Sequence, residues 1–174
     1  MKIKKYFPLH GWIALVLIIA SWATNWSLSG LRTHLLFFPL WLGYCLFVDA
    51  LVYWRKGSSL LTRSWQHYVG LFLISAPAWW LFELINLRTG NWHYLGRDFF
   101  SSFEYAVFAS LNFSTVIPAV FGTAELAGTF GFMRRAKSFI AVPAKKSNMI
   151  WYFGAGWIML VLLLLWPRYF YPMV

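Results

Sequence analysis

Charge is what this sequence withholds. Residues 6–31 run for 26 positions without an Asp, Glu, Lys or Arg, and further charge-free runs cover residues 33–48, 64–82, 105–124 and 147–167. A helix rising about 1.5 Å per residue needs roughly 20 apolar residues to cross about 30 Å of hydrocarbon, so four of these runs are long enough unaided. The second is only 16 residues, and becomes long enough if its helix continues past Asp49 to Trp54. Helices are therefore expected at about Trp12 to Leu28, Leu35 to Trp54, Tyr68 to Leu87, Phe103 to Ala124 and Ile150 to Trp166. The expected fold is all-α, a polytopic membrane bundle of about five helices forming one transmembrane domain over residues 1–174.

Composition agrees with that solvent. The 174 residues are 60% hydrophobic and only 11% charged, too few polar groups to cover a water-facing surface. Trp and Tyr number 12 and 9, and many fall where a span should meet water, as Trp12, Trp26, Trp54, Trp65, Trp92, Trp151 and Trp166 do. Lys and Arg give the orientation. Eleven lie before helix one, between two and three, or between four and five (Lys2, Lys4, Lys5, Arg55, Lys56, Arg63, Arg134, Arg135, Lys137, Lys145, Lys146), against four on the other side (Arg32, Arg88, Arg97, Arg168). The positive-inside bias then puts the N-terminus in the cytoplasm and the C-terminus outside. The net charge of +10 follows from the same bias, and no basic face interleaved with aromatics points to nucleic acid.

The loop from Glu125 to Met149 mixes Phe130, Phe132, Met133, Phe139, Ile140 and Val142 with Arg134, Arg135 and Lys137, a pattern expected to lie on the membrane surface. Along helix four Ala106, Ser110, Ser114, Pro118 and Gly122 recur every four residues, a narrow small-residue face that lets helices approach closely. Asn112 and Thr115 flank that face and are placed to hydrogen-bond across it. Pro77 and Pro118 are expected to bend helices three and four and to leave a pocket between them.

Ionisable groups inside a span are costly and are the first candidates for function. Glu104 follows Ser101 at capping-box spacing, and Glu125 is expected near Arg134 and Arg135. Asp49 sits within reach of Tyr53, Arg55 and Lys56 and is a candidate proton-binding residue. Glu83 stands apart, because it lies near the C-terminal end of helix three, where the helix dipole disfavours a carboxylate. Trp79, Trp80 and Asn86 share its face by their three- and four-residue spacing, and the following loop adds Trp92, His93 and Tyr94. These residues, with Asn112, form the expected ligand site, with Glu83 and Glu104 as its candidate catalytic acids. The alternative is that Glu83 pairs with Arg88 or Arg97 and ties the loop down.

Other chemistries lack their residues. His10, His34, His67 and His93 have no metal-ligand spacing, no Lys lies mid-span, Cys45 is alone, and no phosphate loop or Mg²⁺-binding Asp pair occurs, so no metal and no cofactor is expected. The run Trp79-Trp80-Leu81-Phe82-Glu83-Leu84-Ile85-Asn86, continued by Asn91-Trp92-His93-Tyr94, resembles a segment of uncharacterised multi-pass bacterial membrane proteins. The likeness covers about 16 of 174 residues and implies no activity. Small membrane carotenoid cyclases are also short multi-pass chains with intramembrane acids, but their Pro-x-Glu-Glu motif has no counterpart here. Three readings follow. The chain binds a hydrophobic or amphipathic molecule, or a membrane-protein partner, through helices three and four; or it does acid–base chemistry on a lipid or isoprenoid; or it moves a proton or small solute using Asp49 and Glu83.

Overall fold

The computed structural model describes residues 6–30, 35–135 and 145–171, and among these there is no strand. Lys2, Lys4, Lys5, Arg32, His34, Lys137, Phe139, Ile140 and Val142 lie outside the described residues, and with them most of the basic surface segment. Five helical stretches are long and apolar enough to cross a membrane: Leu9–Ser27, Phe37–Lys56, Trp65–Thr89, Ser102–Ala127 and Asn148–Leu165. The expected all-α bundle of five spans is therefore what the chain forms. Four spans are continuous helices, each within a few residues of its expected bounds. The fourth is broken.

The chain divides into two compact units, residues 1–80 with 95–135, and residues 81–94 with 136–174. The first holds α1 (Leu9–Ser27), α2 (Phe37–Lys56), the short α3 (Leu60–Arg63), α4 (Trp65–Thr89) as far as Trp80, α5 (Ser102–Phe113), α6 (Val116–Ala127) and α7 (Gly131–Arg135). Small residues bring α1 and α2 together. A Cβ on Gly43 would stand 3.0 Å from the Ala14 carbonyl oxygen, and one on Gly11 would stand 2.7 Å from Ala50 Cβ. Backbone approach of this kind replaces the hydrophobic drive that lipid cannot supply. α6 packs on α2 in the same manner, through buried Pro118, Ala119 and Gly122.

The break between α5 and α6 has a chemical cause. Pro118 has no N–H to give and its ring crowds the preceding turn, so the helix cannot run through undisturbed. Ser75 of α4, 1% exposed, enters the gap. Its hydroxyl donates to the Phe113 carbonyl (2.5 Å) and accepts from the Ile117 N–H (3.0 Å), the two groups that an unbroken helix would have joined to each other. One side chain thus replaces a missing turn of ladder, as must happen where no water is present to do so. By contrast α4 continues past Pro77 as one helix of 25 residues.

The second unit contains the end of α4 from Leu81, the loop to Tyr94, α8 (Lys146–Leu165) and α9 (Pro167–Phe170). Arg88 Nε donates to the Leu164 carbonyl (3.0 Å), meeting one of the acceptors that α8 leaves open at its C-terminus. Along α8, Ile150, Trp151 and Phe153 are 69–78% exposed, a face that only hydrocarbon would wet without cost.

Substituting Ser75→Ala should leave both backbone groups unpaired in an apolar setting and lower unfolding free energy by about 1–3 kcal/mol. Unfolding in mixed detergent micelles measures it; unchanged stability would mean that the break is satisfied without Ser75.

Candidate functional site

A lateral groove opens in the first unit between α2, α4 and α5, with Leu61 of α3 at its edge. Its volume is about 870 Å³, and Phe38, Leu42, Leu46, Phe72, Leu73 and Phe103 supply much of its wall. That size falls within the roughly 300–1,000 Å³ of ordinary ligand pockets. The small-residue stripe of the fourth span explains the shape. Its lower half, Pro118 and Gly122, is buried, and a Cβ on Gly122 would lie 3.4 Å from Val48 of α2. Its upper half, Ala106, Ser110 and Ser114, faces the groove instead. The break at residues 114–115 separates the two behaviours. The pocket expected between the third and fourth spans is thus present, with α2 forming one of its walls.

Trp79 and Trp80 turn toward α5. Trp80 Nε1 donates to Ser110 Oγ (3.0 Å) and its ring meets Phe113 edge-on at 5.3 Å, while Trp79 lies 6.0 Å from the same Phe113 ring. These indoles brace the junction of α4 with α5. Asn112 is not part of the groove wall, and its carbonyl accepts from Thr115 Oγ1 (2.7 Å).

In the second unit, the expected cluster around Glu83 forms in part. Trp92 Nε1 (3.1 Å) and the Tyr94 hydroxyl (2.6 Å) both donate to Glu83 Oε1. Neither Arg88 nor Arg97 takes up the carboxylate: Arg88 is committed to α8, and Arg97 lies over the Tyr105 ring at 4.8 Å. Asn86 sets the loop that delivers these donors. Its Oδ1 accepts from the Asn91 and Trp92 N–H groups (2.8 and 3.2 Å), and its Nδ2 donates to the Trp92 carbonyl (2.9 Å). His93 lies between Trp92 and Tyr94 and is exposed. Glu104 belongs to the first unit, where it completes the expected capping box: its Oε2 accepts from Ser101 N–H (2.9 Å) and Ser101 Oγ (2.7 Å).

Asp49 takes partners that helical spacing does not offer. It is 2% exposed, and accepts from Ser59 Oγ (2.7 Å) and from the Leu61 N–H (3.0 Å), with His10 Nε2 3.3 Å away. It therefore folds the segment after α2 back against α2 and caps α3 from outside. Glu125 is met by Arg63 through two parallel hydrogen bonds (2.7 and 2.9 Å) and by Lys56 (3.0 Å). This fork geometry is the strong form of an ion pair. Ser75, Ser59, His10 and Arg63 were not candidates on sequence grounds, since each acts across a distance in the chain that no local pattern records. Among the described residues no group of three His, Cys, Asp or Glu side chains could hold a metal ion.

No family model matches the chain, and no curated protein or solved structure is significantly similar to it.

Replacing Asn86 by Ala removes three hydrogen bonds from the loop at once. Amide hydrogen exchange at Trp92 should then rise by about tenfold or more, with the helices of the first unit unaffected. Unaltered exchange would show that the loop is held by something other than Asn86.

Proposed function

We propose that this chain is an integral protein of a bacterial cytoplasmic membrane, N-terminus inside and C-terminus outside, that binds a hydrophobic or amphipathic molecule through its third and fourth spans. The observation that carries this reading is the groove. It is apolar and of ligand size, and Leu73 and Phe103 of its wall are 72% and 79% exposed. A soluble ligand would gain nothing there, whereas the chain of a membrane lipid or isoprenoid would exchange one hydrocarbon surrounding for another while filling space between helices. The orientation rests on the basic residues, eleven on one side against four on the other.

Ala106→Leu and Ser114→Leu place extra bulk in the groove. Each variant should still accumulate in the membrane but carry at least tenfold less of whatever hydrophobic molecule co-purifies with the protein, quantified by mass spectrometry of a lipid extract. Undiminished recovery in both variants would remove the groove from consideration.

A second reading, acid–base chemistry on a membrane-dissolved lipid or isoprenoid, is favoured by one feature: a carboxyl group that meets an indole and a phenol instead of a cation. In that reading Glu83 would be the general acid. Glu83→Gln separates the two. Binding alone predicts an unchanged lipid complement in cells carrying the variant; catalysis predicts that one lipid species disappears and a precursor accumulates.

A further inference from the structure

A smaller cavity lies in the second unit, where the chain leaves two of its spans. The third span ends at Thr89 and the fifth at Leu165. Residues just past those ends, Asn91, Pro167, Arg168 and Tyr171, close with Thr89 and Gly90 around a cavity of about 460 Å³. A wall built where spans end stands at head-group depth, where phosphate and glycerol take the place of hydrocarbon. Its charge is unbalanced. Glu83 is the one Asp or Glu in residues 81–94 and 136–174, and it already accepts from Trp92 and Tyr94. Arg88 of the same unit is bound to the Leu164 carbonyl, whereas Arg168 forms no ion pair or hydrogen bond with any described residue. The Asn91 amide and the Tyr171 hydroxyl are likewise uncommitted among the described residues. Thr89 Oγ1 donates to the Ile85 carbonyl (3.3 Å), so toward the cavity its oxygen can only accept.

The wall thus offers one positive charge, further neutral donors and acceptors, and no negative charge. A guanidinium fork matches two oxygens of a phosphate, and one cation balances the single charge of a phosphodiester. An ethanolamine or choline group on that phosphate would bring an ammonium ion with no carboxylate to receive it. The hydroxyls of a glycerol group would instead find acceptors in Asn91 and Thr89. We propose that this cavity binds the head group of an anionic phospholipid whose phosphodiester carries a polyol, as in phosphatidylglycerol, with Arg168 on the phosphate. The site shares no residue with the groove, and neither proposal depends on the other.

The test is amide hydrogen exchange of the full chain in nanodiscs of dioleoylphosphatidylcholine, with or without dioleoylphosphatidylglycerol. Phosphatidylglycerol should slow exchange at residues 89–91 and 168–171 by about threefold or more. Arg168→Gln should abolish that slowing, yet melt as the wild type does without the anionic lipid, since the replaced side chain has no partner to lose. Dioleoylphosphatidylserine has the same net charge but carries an ammonium group, and should slow exchange less. Equal slowing by the two anionic lipids would reduce the effect to charge attraction and overturn the head-group assignment. Slowing that survives Arg168→Gln, or none with any lipid, overturns the site itself. A soluble source is separated by adding sn-glycerol 3-phosphate to the plain phosphatidylcholine nanodiscs: protection equal to that of the lipid would overturn the lipid assignment.

Discussion

Backbone hydrogen bonding in an environment without water is the constraint from which the rest of this structure follows. A helix that crosses hydrocarbon must join its own N–H and C=O groups, and each departure from the helix needs a substitute donor and acceptor close by. The departure here is at Pro118, and the substitute is the Ser75 hydroxyl from the neighbouring span, which both donates to Phe113 and accepts from Ile117. Because that exchange needs α4 against the break, the fourth span is held to α4 at one level and to α2, through Gly122, at another. The groove lies beside Ala106, Ser110 and Ser114, the small residues of that span before the break.

The acids divide by the kind of partner that each has found. Asp49 and Glu125 are satisfied by groups from distant parts of the first unit, Asp49 by a serine hydroxyl and a backbone amide, Glu125 by two cations. Breaking either would leave a partly buried charge exposed to loss of its partners, the situation in which removing one member of a pair costs more than the pair contributes. Glu104 serves its own helix start. Glu83 alone among them has been met by aromatic donors, and those donors are held in place by Asn86.

Much of the fold was legible because the signals behind it are local. A run of charge-free residues marks where a helix can cross, capping-box spacing marked the start of α5 at Ser101 and Glu104, and proline marked where a span could fail, which happens at Pro118 and not at Pro77. The candidate site was legible in part, for the same reason: Glu83, Asn86, Trp92 and Tyr94 lie within twelve residues, so helical spacing and a short loop nearly dictate their meeting. Trp79 and Trp80 were placed with them on the same argument, yet Trp80 bonds to Ser110, because an indole seeks whichever acceptor packing brings within reach.

What the sequence determined alone is that five helices are long and apolar enough to cross a membrane and, to within a few residues, where they lie, since both depend on hydropathy and spacing along a single segment. Only the tertiary structure decided that Ser75 would repair the fourth span and that Asp49 would turn to Ser59 instead of its helical neighbours. Each of those outcomes depends on which helices become neighbours. Apolar faces in hydrocarbon carry little information about their partners, and so the choice falls to small residues and a few polar atoms far apart in the chain.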